Sequence, residues 1–162
     1  MGFIAPILTY PPSTQLKREH IMKLNINLED VPVCISKQLL DLINTHIPTH
    51  DKKTSGCSIN FRDTSYSPEN GGFHPVEIGL QHSNGEWTFD YITDFSYSGG
   101  PYPELIKEID FLFTHHALCF AGGFPQPLNH GSSKEFYQMW ESNFLSYVEM
   151  ECFDEIKVNW HS

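Results

Sequence analysis

The chain has 162 residues, 40% hydrophobic, 19% charged and 14% aromatic, the size of one domain around a single core and a composition that excludes disorder, collagen, coiled coil and membrane span. Ten basic and twenty acidic side chains give a formal net charge of -10. The excess lies beyond Arg62, because from Asp63 onward fifteen acids face only Lys107, Lys134 and Lys157, and this disfavours direct nucleic-acid binding, which needs cations to displace counterions. The acidity serves either solubility or the capture of a basic partner.

Residues 1–23 mix prolines, polar groups and a few basics and read as a peripheral or disordered arm, leaving 24–162 as a single domain. The start has no basic stretch before a long apolar core and so no secretory signal, and no window is long and apolar enough for a membrane span. Cys34, Cys57, Cys119 and Cys152 form no C-x-x-C pair and read as small hydrophobes of a reducing cytoplasm.

Leu24, Ile26 and Leu28 alternate with polar residues, a short strand signal. Ser36 can cap a helix with Leu39, Leu40, Leu42, Ile43 and Ile47 at helical spacing, closed by Pro48. A strand follows with Cys57, Ile59 and Phe61 on one side, then a turn-rich stretch from Asp63 to Gly72. Val76, Ile78 and Leu80 alternate before Asn84-Gly85, and Trp87, Phe89, Tyr91, Thr93, Phe95 and Tyr97 alternate after it, which predicts a hairpin on a two-residue turn. Unbroken pairing sets Leu80 opposite Phe89, Ile78 opposite Tyr91, Val76 opposite Thr93 and His74 opposite Phe95, with the aromatic stripe facing the helices.

Leu105 to Phe113 reads as a further strand, because aromatic and β-branched residues dominate its second half, and Ala117 to Phe124 returns antiparallel to it. Ser132 and Glu135 form a capping box ahead of a helix carrying Phe136, Met139, Trp140, Phe144, Tyr147 and Val148, and a strand with Ile156, Val158 and Trp160 ends the chain. The whole is an α+β domain: an antiparallel meander sheet flanked by an N-terminal and a C-terminal helix.

The candidate site follows from that hairpin. On its polar side Glu77 faces Ile92, with Asp90 and Asp94 as diagonal neighbours about 7 to 8 Å away. Such carboxylates divide acid and base roles in glycoside hydrolysis, hold a hard cation, or simply face water. Arg62 is placed to pair with Asp63, Glu77 or Asp94 and so to fix the Asp63–Gly72 loop. The nine histidines show no metal-ligand spacing, and His74 falls on the apolar side of the hairpin, where it reads as a satisfied core histidine. Nucleophile elbows, P-loops and dinucleotide fingerprints are missing too, so the sequence points to no catalytic residue, no metal and no cofactor.

Four stretches, 61–78 (FRDTSYSPENGGFHPVEI), 91–97 (YITDFSY), 104–111 (ELIKEIDF) and 140–150 (WESNFLSYVEM), resemble an uncharacterised, Vibrio-type gammaproteobacterial family of unknown function that is often met on mobile or pathogenicity islands. That family is similar in structure to the mitochondrial glycoprotein family, acidic proteins with a long antiparallel sheet flanked by helices that form ring-shaped trimers and bind many proteins, among them the globular heads of complement's first component. The resemblance covers roughly residues 25–160 and implies a non-enzymatic acidic binding module. The combined expectation is a cytoplasmic protein that binds a basic protein or peptide through Arg62, Asp63, Tyr66, Glu77, Asp90 and Asp94, engages neither nucleic acid nor membrane directly, and forms a possible homo-oligomer. Two alternatives are a hydrolase built on the carboxylate pair and an acidic decoy that imitates nucleic acid.

Overall fold

The computed structural model describes residues 23–47 and 54–162. The expected arm, Lys23 apart, and the expected stop at Pro48 lie outside the described residues. Elements follow the chain as β1 (Ile26–Asn27), α1 (Lys37–His46), β2 (Gly56–Arg62), β3 (Val76–Ser83), β4 (Glu86–Tyr97), β5 (Leu105–Leu112), β6 (Ala117–Phe120), β7 (Gln126–Pro127), α2 (Gly131–Glu149) and β8 (Glu155–His161).

Six consecutive strands pair antiparallel in the order β7-β6-β5-β4-β3-β2, and β8 returns from α2 to pair with β2 at the far edge. Only β1 departs from the meander, pairing parallel with β4 at Trp87 and Thr88. Both helices cover one face of the sheet, called the inner face below. There Phe61, Ile78, Ile92 and Phe111 meet Leu39 and Ile43 of α1 and Tyr137 and Phe144 of α2, all buried. The α+β meander with two flanking helices is the architecture the sequence predicts.

Local chemistry explains the helix ends. Ser36 caps α1 as expected, its hydroxyl accepting from the Leu39 N–H at 3.1 Å. The capping box predicted for α2 is not formed: the helix starts at Gly131 behind His130, which makes no side-chain cap bond, so Ser132 already lies inside the first turn. Its hydroxyl instead sits 3.0 Å from His130 Nδ1.

The β3–β4 hairpin turns at Asn84 and Gly85, with φ of 52° and 82°, as a two-residue turn of this type requires. The expected register holds from Ser83–Glu86 to Leu80–Phe89 and then breaks, because Gly79 pairs with Tyr91 and leaves Asp90 as the extra residue of a β-bulge. Beyond it Ile78 pairs with Ile92, Glu77 with Thr93 and Val76 with Asp94. The predicted pairs of Ile78 with Tyr91, Val76 with Thr93 and Glu77 with Ile92 are therefore corrected by one residue. The reason is steric and polar. Ile92 takes the core position, while the Tyr91 ring lies over Gly79 on the outer face, where a Cβ on that glycine would meet the ring at 2.3 Å. There the Tyr91 hydroxyl donates to Glu77 at 2.6 Å and avoids the cost of an unpartnered phenol in the core.

Candidate functional site

The turn-rich loop between β2 and β3 is organised by two carboxylates. Asp63 accepts from the Ser65 N–H at 2.9 Å and from the Phe73 N–H at 3.0 Å. Asp154 reaches across from the segment before β8 and accepts from the Thr64 N–H at 2.8 Å and its hydroxyl at 2.5 Å. Gly72 closes the loop at φ 132°, and a Cβ there would meet Asp63 Oδ2 at 2.7 Å, so glycine is needed both for conformation and for space. The loop delivers Tyr66 onto His74, ring centroids 5.3 Å apart, and its hydroxyl accepts from the Tyr97 N–H at 3.2 Å.

These bonds hold both carboxyls below the usual carboxylate range, Asp63 chiefly through the Ser65 hydroxyl and then the Phe73 N–H, Asp154 through Thr64. A folded-state pKa below the unfolded one stabilises the fold above the unfolded value and loses that contribution as pH falls through the folded value. The amide signals of Thr64, Ser65 and Phe73 in 1H–15N NMR should therefore hold their positions down to about pH 4 and move together below it, while those of the β3–β4 ladder stay fixed.

His74, Asp94 and Glu108 converge on the inner face beneath the middle of α2. His74 Nδ1 lies 2.9 Å from Asp94 Oδ1 and 3.2 Å from Glu108 Oε2. Asp94 is oriented from above by Trp140 of α2, whose indole N–H donates to its other oxygen at 2.9 Å. Glu108 arrives through a second bulge: Asp94 pairs with Ile109 and Phe95 with Lys107, so Glu108 is the extra residue and turns toward His74 while Lys107 points to the outer face. The Asp94 hydrogen bond, joined by the charges of Asp94 and Glu108, holds the His74 imidazole above its ordinary pKa against a partial burial that acts the other way.

Beside this cluster a cleft of about 330 Å³ opens between β3, β4 and α2, with Phe73, Val76, Phe144, Tyr147 and Phe153 as apolar walls and His74, Asp94 and Trp140 at one end. Of the residues singled out from the sequence, Tyr66 and Asp94 meet at His74, and Asp63 holds the N–H of the neighbouring Phe73. The others do not join them. Glu77 lies on the outer face, accepting from Tyr91 and from Asn60 Nδ2 at 3.3 Å, and burial together with Glu77 pushes the Tyr91 phenol above its usual range. Asp90 accepts from the Thr114 hydroxyl at 3.2 Å. Glu77 and Asp94 thus sit on opposite faces of the sheet, a correction to the diagonal pair expected from unbroken alternation, and one substrate cannot lie between them. Arg62 is likewise corrected: its partner is Glu155 of β8 at 3.9 Å, not Asp63, Glu77 or Asp94, and Lys157 joins the same glutamate at 2.8 Å.

Residues 35–159, which carry this whole arrangement, match a family described as protein of unknown function (DUF2787). The chain belongs to the DUF2787 family. It matches no curated protein. Among solved structures it is similar to a hypothetical protein of the Vibrio cholerae VSP-II pathogenicity island, 41% identical over 80% of this chain and 96% of that one, with a TM-score of 0.72. A second Vibrio cholerae protein, from pathogenicity island VPI-2, is 41% identical over 80% of this chain and 97% of the other at a TM-score of 0.70, and shares structural homology with the human P32 protein. The fold of this DUF2787 chain is thus of the mitochondrial-glycoprotein type that its sequence motifs imply. Among the described residues no helix is long and apolar enough to cross a membrane.

Sequence reading missed the meeting of His74 with Glu108. Local alternation does not mark it: Leu105 is in step with Ile109, Phe111 and Phe113 while its neighbour Ile106 is not, so the apolar phase reads the same with or without an inserted residue.

Proposed function

We propose that this protein is a non-enzymatic binding module whose inner-face cleft takes an apolar anchor residue from a basic protein or peptide. The observation that carries the reading is the pairing of apolar walls with an acidic mouth. Asp94 lines the cleft with Glu108 beside it at His74, the segments next to its other lining residues bear Asp63, Glu69, Glu151 and Asp154, and the cations nearby in the chain, Arg62 and Lys157, are both engaged with Glu155. An acid-rimmed apolar pocket attracts a basic chain over distance and holds it by burying one large side chain. The structural kinship of a 41% identical relative with P32 supports a protein-binding role over an enzymatic one.

The test is fluorescence anisotropy with a labelled peptide rich in Lys and Arg and carrying one Trp. Affinity should fall steeply as salt rises from about 0.1 M to about 1 M, where the Debye length shrinks from about 10 Å to about 3 Å. Reversing two exposed charges in the segments next to the lining residues, Glu69→Lys with Glu151→Lys, should slow association about tenfold. Tyr147→Ala, on an exposed wall of the cleft, should speed dissociation. Binding that is indifferent to salt and to both variants would overturn the reading.

A further inference from the structure

We infer that His74, Asp94 and Glu108 form a binding site for one divalent first-row transition ion. The three side chains come from separate segments, the approach to β3, the later part of β4 and the bulge of β5, and their ligand atoms lie within 4.8 Å of one another. His74 Nδ1 is 2.9 and 3.2 Å from the two carboxylate oxygens. An ion with metal–ligand bonds of about 2.1 Å places adjacent ligands of an octahedron about 3.0 Å apart and of a tetrahedron about 3.4 Å apart, so the two observed spacings suit the imidazole as the neighbour of each carboxylate on one ion.

Hydrogen-bond distances fall in the same range, so spacing alone does not decide; the arrangement of the groups does. A single imidazole nitrogen faces two independent carboxylates, while the neutral ring offers one N–H there at most. Glu108 is 43% exposed and free to turn to water, yet the β5 bulge aims it back at the same nitrogen. Asp94 is held from its far oxygen by the Trp140 N–H, an outer partner of the kind that orients metal-binding carboxylates. One nitrogen and two oxygens favour Zn2+, Mn2+ or Fe2+ over Ca2+, which takes six to eight oxygens. The ion would occupy the polar end of the cleft and leave its apolar walls open, so this inference stands or fails apart from the proposed partner binding.

Tag-free full-length protein, stripped with chelator and dialysed against ZnCl2 or MnCl2, should retain one equivalent of metal, measured by atomic emission, and retain none from CaCl2. His74→Ala and Glu108→Gln should each lower the affinity at least tenfold, and Trp140→Phe, acting through Asp94, about tenfold. Glu108→Gln replaces a half-exposed group by one of the same shape, so a native circular dichroism spectrum for that variant separates lost ligation from lost fold. Retention of the metal by Glu108→Gln and His74→Ala at unchanged affinity, or no stoichiometric uptake by the parent protein, would overturn the inference. Peptide binding that survives Glu108→Gln while metal binding is lost would show the two sites to be separable.

Discussion

Phe61→Ala should lower the stability of the fold by about 3–5 kcal/mol, read as a fall in the denaturation midpoint in guanidinium. Phe61 has no exposed surface and is the ring on which the inner face converges: it meets Phe144 of α2 edge-on at 5.1 Å, Phe153 at 5.9 Å and the His46 ring of α1 at 5.8 Å. Truncation removes the buried ring and also leaves a void that three segments fixed by other contacts cannot all collapse to fill. Against a typical domain stability of about 5–15 kcal/mol, this one change removes a large share. Phe124, 92% exposed, is the control, and its truncation should change stability by no more than about 0.5 kcal/mol. Phe144 and Phe153 are also walls of the cleft, so Phe61→Ala should weaken binding of the Trp-bearing peptide without touching it. A peptide affinity unchanged in the folded variant would separate the core from the cleft.

How far sequence reading reached is visible in the same hairpin. Turn chemistry at Asn84-Gly85 and the alternation of Leu80 with Phe89 fixed the near end of the ribbon, because both are local and period two is what a half-buried strand displays. The far end failed at Asp90. Tyr91 and Ile92 are both apolar enough to serve as the inward residue, so a continuous stripe through Tyr91 and an interrupted one through Ile92 look alike in hydrophobicity. The choice falls to Gly79, which gives the Tyr91 ring a flat seat on the outer face, and to Glu77, which accepts its hydroxyl; both sit across the ladder and enter only through pairing. That single inserted residue carried Asp94 from the outer face to the inner one. The place of Asp94 follows from it: Asp94 meets His74 and Trp140 instead of Glu77, and the Glu77–Asp94 carboxylate pair does not form. His74 fell on the correct side of the ribbon from alternation alone. Its partner Glu108 was out of reach, since it depends on a second bulge in another strand. The helices were legible from spacing, and the start of α2 was not, because its His130–Gly131 entry offers no hydroxyl or carboxylate at the cap position.

Glu141→Ala should cost about 3 kcal/mol, and Glu141→Gln only about 1 kcal/mol, since truncation deprives one buried and one half-buried donor at about 1–3 kcal/mol each whereas the amide still offers one acceptor oxygen. Glu141 is 5% exposed within α2 and has no cation beside it among the described residues' ion pairs. Its carboxylate instead accepts from the Ser36 N–H at 3.1 Å and from the Tyr137 hydroxyl at 2.6 Å. Tyr137 is itself fully buried, and that burial, reinforced by Glu141, raises its phenol well above the ordinary tyrosine range. Ser36 is bound twice, giving its N–H to α2 while its hydroxyl caps α1 at Leu39, so loss of Glu141 loosens the start of α1 as well as its docking. Hydrogen exchange should therefore quicken in α1 more than in β3 and β4 when Glu141 becomes alanine. Tyr137→Phe removes the second donor together with its need for a partner, and in the Tyr137→Phe background Glu141→Ala should cost at least about 1 kcal/mol less than in the parent. Equal costs in the two backgrounds would mean that the carboxylate serves Ser36 alone.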